Sequence, residues 1–70
     1  MRYAIVIEKP EGNFSAYVRD LPGCIETGST VEEVESQIRE GIEFHLEGMQ
    51  EDGIAIPPPA SRVECVDVAT

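Results

Sequence analysis

The chain has 70 residues, of which 41% are hydrophobic, so it is long enough for one small domain. Its formal net charge of −9 argues against nucleic acid or anionic lipid as a direct partner and favours a basic protein. A core of this size is only marginally stable alone, and we therefore expect a homodimer or a larger oligomer. Two cysteines, without a signal peptide or a membrane-length apolar run, predict a cytoplasmic protein.

Two strands joined by a turn are predicted at the start of the chain. Residues 2–8 alternate between two sides that are both apolar, which is typical of a central strand. Residues 9–13 contain proline, glycine and asparagine, the residues that tight turns favour. Alternation resumes over residues 14–19, so the sequence predicts a β-hairpin.

A second turn and a short third strand follow the hairpin. The turn consists of Asp20, Leu21, Pro22, Gly23 and Cys24, and its proline and glycine reverse the chain. Residues 24–27 then form a brief extended piece. Because this piece is short and carries Glu26, we expect it at the edge of the sheet.

A long amphipathic helix is the most clearly marked element. Ser29 and Thr30 can each cap its N-terminus, and each is followed three residues later by a glutamate. Gly48 or Gly53 is expected to end it. Apolar residues recur at three- or four-residue steps and predict one buried stripe: Val31, Val34, Ile38, Ile42, Leu46 and Met49.

The end of the chain predicts a linker and a last strand. Residues 57–59 are three prolines, which favour an extended backbone, and residues 62–68 are rich in valine. The predicted fold class is α+β, with the element order β-β-β-α-β. It is a four-stranded mixed sheet of order 3-2-1-4 with one long helix on one face. The uncovered face or an open edge is where a partner is expected.

No group of residues indicates catalysis. His45 is the only histidine and falls beside the apolar stripe, so a structural role is favoured over that of a general base. Cys24 could form a thiolate pair with His45 or a disulfide with Cys65, but buried structural thiols are the favoured interpretation. We predict no enzymatic activity, no metal and no cofactor.

Five residues are candidates for binding a partner protein. Glu8 and Glu26 are acidic residues of the predicted strands and Asp20 lies in the predicted turn between strands, and such residues could also bind divalent cations for phosphodiester cleavage. Solvated surface charge is the favoured interpretation of these carboxylates. Phe44 lies off the helix stripe, and Tyr17 points away from the apolar side of its strand. Each aromatic is either an interface anchor or a singly tolerated exposed residue.

Segments across nearly the whole chain carry a resemblance to a known family. They are residues 3–8, residues 14–24, residues 28–33 and residues 38–46. The most specific feature is the Asp-Leu-Pro-Gly-Cys turn, followed at this distance by a Thr-x-Glu-Glu helix start. In these features the chain resembles the HicB-type antitoxin family.

The resemblance implies a partial ribonuclease-H-like fold that lacks nuclease activity. It further implies an antitoxin that binds and occludes a small, basic, RNA-cleaving toxin of the HicA type. Many members also carry a C-terminal helix-turn-helix or ribbon-helix-helix domain. This chain ends two residues after its predicted last strand, so we expect a single domain over residues 1–70, without a DNA-binding domain and without direct nucleic acid binding.

Two alternatives remain beside the antitoxin interpretation. A solitary, oligomeric HicB-like domain would have another protein-binding role. A degenerate metal-dependent nuclease would need a divalent cation and an intact carboxylate cluster. A neighbouring gene that encodes a short basic chain with one catalytic histidine would favour the antitoxin.

Overall fold

Three strands and one helix form the fold. The computed structural model describes residues 1–69. The strands are β1 (Ile5–Glu11), β2 (Asn13–Val18) and β3 (Ile25–Gly28), and the helix is α1 (Val31–Glu51). Within these residues, no helix combines the length and the apolar character needed to cross a membrane.

The sheet is antiparallel throughout, with the order β1-β2-β3. In the predicted hairpin, Ile5 lies opposite Val18 and Ile7 lies opposite Ala16, so these four side chains share one face. Only Gly12, whose φ is 67°, separates the two strands. The hairpin prediction is confirmed, with a tighter turn than the sequence indicated.

Helix α1 begins and ends at residues with clear capping geometry. Thr30 is the N-cap, and its Oγ1 accepts a hydrogen bond from the Glu33 N–H at 3.0 Å. Ser29 instead donates its hydroxyl to the Glu33 carboxylate at 2.7 Å. At the other end Gly53 has a φ of 69°, and the N–H of Ile54 bonds to the carbonyl of Met49 at 2.8 Å. Of the two glycines predicted to end the helix, Gly53 does so.

The core lies between α1 and the strands β2 and β3. Helix α1 packs mainly against these two strands and less against β1. Six residues are buried there: Ala16, Val18, Leu21, Cys24, Val34 and Ile38. Two of them, Leu21 and Cys24, come from the turn after β2, so this turn closes one end of the core. It is closed by backbone hydrogen bonds, among them that from the Val18 N–H to the Cys24 carbonyl at 3.2 Å.

The predicted four-stranded mixed sheet of order 3-2-1-4 is wrong. Residues 62–69 form no strand, and Val63, Val66 and Val68 are 70%, 80% and 73% exposed. The physical reason lies in the pattern of this segment. An extended backbone would place Val63 on one side with Asp67, and Val66 and Val68 on the other side with Glu64, so neither side is uniformly apolar.

Because the predicted fourth strand does not form within residues 1–69, the position of β1 in the sheet also differs from the prediction. This strand was predicted to be central because both of its sides are apolar, but it is an edge strand whose only strand neighbour within residues 1–69 is β2. Ile5, Val6 and Ile7 are half-buried as a result. The proline segment contacts the chain just before β1, where the Tyr3 hydroxyl donates to the Pro57 carbonyl at 2.6 Å.

Candidate functional site

The outer face of α1 presents an aromatic side chain among carboxylates. Phe44 is 79% exposed, the consequence of its position off the buried stripe. Glu40 and Glu47 lie four residues before it and three residues after it, so they are its neighbours on the helix surface. Both glutamates are exposed. We call Glu40, Phe44 and Glu47 the acidic ridge. A solvated aromatic flanked by negative charge suits a partner that offers an apolar pocket with basic surroundings.

Two glycines of α1 also adjoin Phe44, and one of them explains the position of Glu26. A Cβ atom at Gly41 would lie 3.0 Å from Oε2 of Glu26, so the absence of a side chain lets this glutamate lie against the helix. A Cβ atom at Gly48 would meet no atom within 4 Å. Glu26 therefore lies on the face of β3 that packs against α1, and not on the face of the sheet that α1 leaves uncovered.

The face of the sheet that α1 leaves uncovered carries an apolar row. Val6 lies opposite Tyr17 on β2, and Tyr17 lies opposite Ile25 on β3. Ile25 is 62% exposed, whereas Val6 and Tyr17 are half-buried. Glu8 lies on the same face, opposite Ser15. This row, Val6, Tyr17 and Ile25, is a second candidate surface for a partner.

Asp20 binds the chain's own backbone. Its Oδ2 accepts hydrogen bonds from the N–H groups of Ala60 at 3.1 Å and Ser61 at 3.0 Å, and its Oδ1 accepts one from the Ser61 hydroxyl at 3.0 Å. The bonds from the Ser61 and Ala60 N–H groups lower the pKa of Asp20 below its ordinary value of 3.8. Both oxygens are engaged, so Asp20 fixes the chain after the proline segment.

The cysteines have contrasting environments. Cys24 is buried, and the loss of solvent, followed by the charge of Glu26, raises the pKa of its thiol. A raised pKa keeps the thiol protonated and unreactive at neutral pH. Cys65 is exposed, and both cysteines are free. Among residues 1–69, no three or more His, Cys, Asp and Glu side chains are grouped so that they could hold a metal ion.

The five residues predicted to bind a partner thus lie in different parts of the molecule. Phe44 belongs to the acidic ridge, Tyr17 and Glu8 belong to the uncovered face, Glu26 lies against α1, and Asp20 holds residues 60–61. Their role in binding stays a prediction. Val6 and Ile25 were not predicted to be site residues, although strict alternation along β1 and β3 places them on the face of Tyr17.

A comparison with protein families decides where this chain belongs. The family model described as the HicB-like antitoxin of bacterial toxin-antitoxin systems matches residues 3–69. The chain belongs to the HicB-like antitoxin family. The resemblance found in the turn and in the helix start is thereby confirmed, and so is the antitoxin interpretation.

Relatives of this HicB-like chain occur in archaea, bacteria and phage. A UPF0150 protein of Archaeoglobus fulgidus is 41% identical over 73 aligned residues, which cover 100% of this chain and 99% of that protein. A UPF0150 protein of Helicobacter pylori is 40% identical over 50 residues, or 71% of this chain and 69% of that one. An uncharacterised 14.9 kDa protein of Haemophilus phage HP1, from the rep-hol intergenic region, is 42% identical over 57 residues. The match covers 81% of this chain but only 43% of the phage protein.

A solved structure agrees with the family assignment. It is a chain of the HicA3 and HicB3 toxin-antitoxin complex, which superposes with a TM-score of 0.72 at 30% sequence identity. The superposition covers 84% of this HicB-like chain and 70% of the other chain. The similarity therefore extends over most of the βββα unit, and it links this fold to a toxin-antitoxin complex.

Proposed function

We propose that this chain is the toxin-binding domain of a HicB-like antitoxin and that it neutralises a small, basic, RNA-cleaving toxin of the HicA type by covering its RNA-binding surface. The observation that carries the proposal is the similarity to a chain of the HicA3 and HicB3 complex, with a TM-score of 0.72 and 30% identity. Residues 1–70 act as one domain under this proposal. The function requires no catalysis, and it belongs in the cytoplasm, where the RNA is.

Charge supports a basic partner. The chain carries 14 acidic and 5 basic residues, and α1 contributes a dense share of the acidic ones. A toxin that binds RNA presents positive charge to the phosphate backbone. An acidic antitoxin is therefore attracted to the surface that RNA would occupy, and this attraction accelerates the encounter of the two proteins.

The acidic ridge is the surface that we assign to the toxin. Phe44 is 79% exposed in the second half of a 21-residue helix, where the fold gains nothing from a large apolar side chain. Glu40 and Glu47 supply the negative charge beside it. An aromatic anchor inside a charged rim is the arrangement typical of an interface hot spot.

Association kinetics with a purified small, basic toxin of the HicA type test this assignment. Raising the salt from low to physiological concentration should slow association and leave dissociation nearly unchanged, because screening acts mainly on the encounter. Phe44→Ala should instead accelerate dissociation and weaken binding by about 2 kcal/mol or more. Ile25→Ala is the matched control, since it removes an exposed aliphatic side chain from the opposite side of the molecule.

Two results would contradict the proposal at different levels. If Ile25→Ala weakens binding and Phe44→Ala does not, the toxin binds the uncovered face of the sheet and the assignment to the acidic ridge is wrong. If the tagged chain recovers no small basic protein from its source cell and does not restore growth when the neighbouring gene is induced, the antitoxin function itself is wrong for this chain.

A further inference from the structure

The carboxylate of Glu26 lies in the seam between β3 and α1. Glu26 is half-buried, and its Oε2, Cγ and Cδ atoms lie 3.0, 3.4 and 3.5 Å from the position that a Cβ atom of Gly41 would take. Within residues 1–69 no group donates a hydrogen bond to this carboxylate, and the one ion pair joins Arg62 to Glu64. The carboxylate has therefore lost part of its water during folding without gaining a partner, so less water has to be removed when a cation binds it.

The close approach of β3 to α1 also restricts the Glu26 side chain. A Cβ atom at Gly28 would lie 2.9 Å from the backbone N of Val34, so glycine allows the close approach at this end of β3, as Gly41 does beside Glu26. The stem of Glu26 packs along the helix, which limits the rotamers that it can adopt. A side chain that is already ordered loses less entropy when it binds a partner.

The ring of Phe44 adjoins the same seam. Phe44 follows Gly41 by three residues, so the two positions are neighbours on the helix surface. Helical side chains point toward the N-terminus of their helix, and the ring therefore leans toward the turn that contains Gly41. Phe44 is 79% exposed. A carboxylate beside an exposed ring suits a guanidinium group, which forms paired hydrogen bonds with the first and stacks on the second.

We propose that Glu26 and Phe44 together bind one arginine side chain of the toxin, and that Gly41 is the positioning residue that keeps the carboxylate in place. This inference rests on the proposed function, and it adds the chemical identity of the group that the toxin contributes. The guanidinium donates two hydrogen bonds to the carboxylate, and its flat face lies on the ring. Lysine carries the same charge without the planar fork, so this arrangement selects arginine.

Glu26 contributes to binding in a different way from the glutamates of the acidic ridge. Glu40 and Glu47 are exposed, so salt screens their charges, and they act mainly on the rate of encounter. Glu26 is half-buried, and a toxin that covers it excludes more water from the ion pair. Such a pair is screened less, and it breaks when the toxin leaves. Glu26 therefore acts mainly on the dissociation rate.

The test measures the association and dissociation rates of the full chain with a purified toxin of the HicA type. Glu26→Gln removes the charge and keeps the shape, and it should accelerate dissociation about tenfold or more. Its fold should persist, as circular dichroism and urea unfolding can establish, because this carboxylate has no partner to lose within the domain. Glu11→Gln is the matched control, since Glu11 is an exposed glutamate at the end of β1, outside β3 and α1. It should leave dissociation unchanged.

Two glycine variants separate the position of the carboxylate from its charge. Gly41→Ala keeps every charge but displaces the Glu26 carboxylate, so it should accelerate dissociation, and it should add nothing to Glu26→Gln. Gly48→Ala adds the same methyl group to the same helix where no atom lies within 4 Å, and it should leave dissociation unchanged. If both alanines accelerate dissociation equally, the toxin packs on the helix backbone and the role assigned to Glu26 is wrong.

Replacing the arginines of the toxin by lysine, one at a time, identifies the bound side chain. One replacement should accelerate dissociation from the wild type and have no further effect on Glu26→Gln, since a double-mutant cycle detects paired residues in this way. If the wild type binds the toxin but Glu26→Gln dissociates as slowly as Glu11→Gln, or if no toxin arginine is coupled to Glu26, the inference is wrong and the proposed function stands. If the wild type binds no toxin of this type, the proposed function is wrong, and the inference with it.

Discussion

The two glycines beside Phe44 allow one substitution to be compared at two positions on the same helix. Glycine inside a helix is less favourable than alanine by about 0.5–1 kcal/mol, chiefly because the unfolded chain loses more freedom. At Gly48 a new Cβ atom would meet no atom within 4 Å, so Gly48→Ala should recover most of this free energy. For a domain of this size, 1 kcal/mol raises Tm by about 4–8 °C.

Gly41→Ala should stabilise the domain less than Gly48→Ala, or even destabilise it. The same gain in helix propensity is opposed by a close contact, because the new Cβ atom would lie 3.0 Å from Oε2 and 3.4 Å from Cγ of Glu26. The carboxylate would have to move away from the helix. Thermal and urea unfolding, followed by circular dichroism, measure both variants against the wild type.

The double variant Glu26→Ala/Gly41→Ala isolates the cause. Once the Glu26 side chain is removed, alanine at position 41 should stabilise the helix as much as alanine at position 48 does. Such a result is a coupling between positions 26 and 41, which a double-mutant cycle measures directly. If Gly41→Ala alone raises the free energy of unfolding as much as Gly48→Ala, Glu26 does not lie against the helix and the placement of this glutamate is wrong.

Three further predictions concern the turn after β2 and the residues that it holds. Leu21→Ala should lower the free energy of unfolding by about 2–5 kcal/mol, because Leu21 is fully buried although it belongs to a turn. Urea unfolding measures this change, and a loss below about 1 kcal/mol would contradict the role of the turn in the core. A thiol reagent should label exposed Cys65 rapidly and buried Cys24 only when the domain opens. Mass spectrometry of the labelled peptides measures the two labelling rates, and equal rates would show that Cys24 is accessible. Since folding lowers the pKa of Asp20, its ionised form stabilises the fold at pH values above its unfolded pKa, close to 3.8, and this contribution disappears as the pH falls through the folded pKa. The stability difference between the wild type and Asp20→Asn should therefore be largest near neutral pH and shrink in acid, and a difference that is independent of pH would refute the ionic role.

Local signals in the sequence were sufficient for the hairpin, for the helix and for the exposure of Phe44. Thr30 with Glu33 marks the helix start, and helical periodicity alone places Phe44 outside the buried stripe. Each of these features depends on residues that are close in the chain. The sequence did not decide between Gly48 and Gly53 as the residue that ends the helix, because either glycine could take the positive φ that this position needs. In the structure Gly53 takes the positive φ, and Gly48 lies inside the helix.

The features that the sequence did not reveal depend on distant contacts. A valine-rich segment with a strand-like composition predicts pairing, but Glu64 and Asp67 interrupt both of its sides, and here the segment stays in solvent. Ala60 and Ser61 donate hydrogen bonds to Asp20, which precedes them in the chain by 40 and 41 positions. No local pattern indicates hydrogen bonds between residues so far apart. Asp20 consequently resembled a residue available to a partner, and only the fold places it against its own backbone.

The strand order β1-β2-β3 has a consequence for the rate of folding. Each pair of neighbouring strands is also consecutive in the sequence. A one-residue turn joins β1 to β2, and a short turn joins β2 to β3. Such pairings close only small loops, so little chain entropy is lost before the contacts form. Folding rates rise as the sequence separation of contacts falls. The sheet can assemble outward from the hairpin while the chain is still short, and the docking of α1 onto β2 and β3 then completes the core.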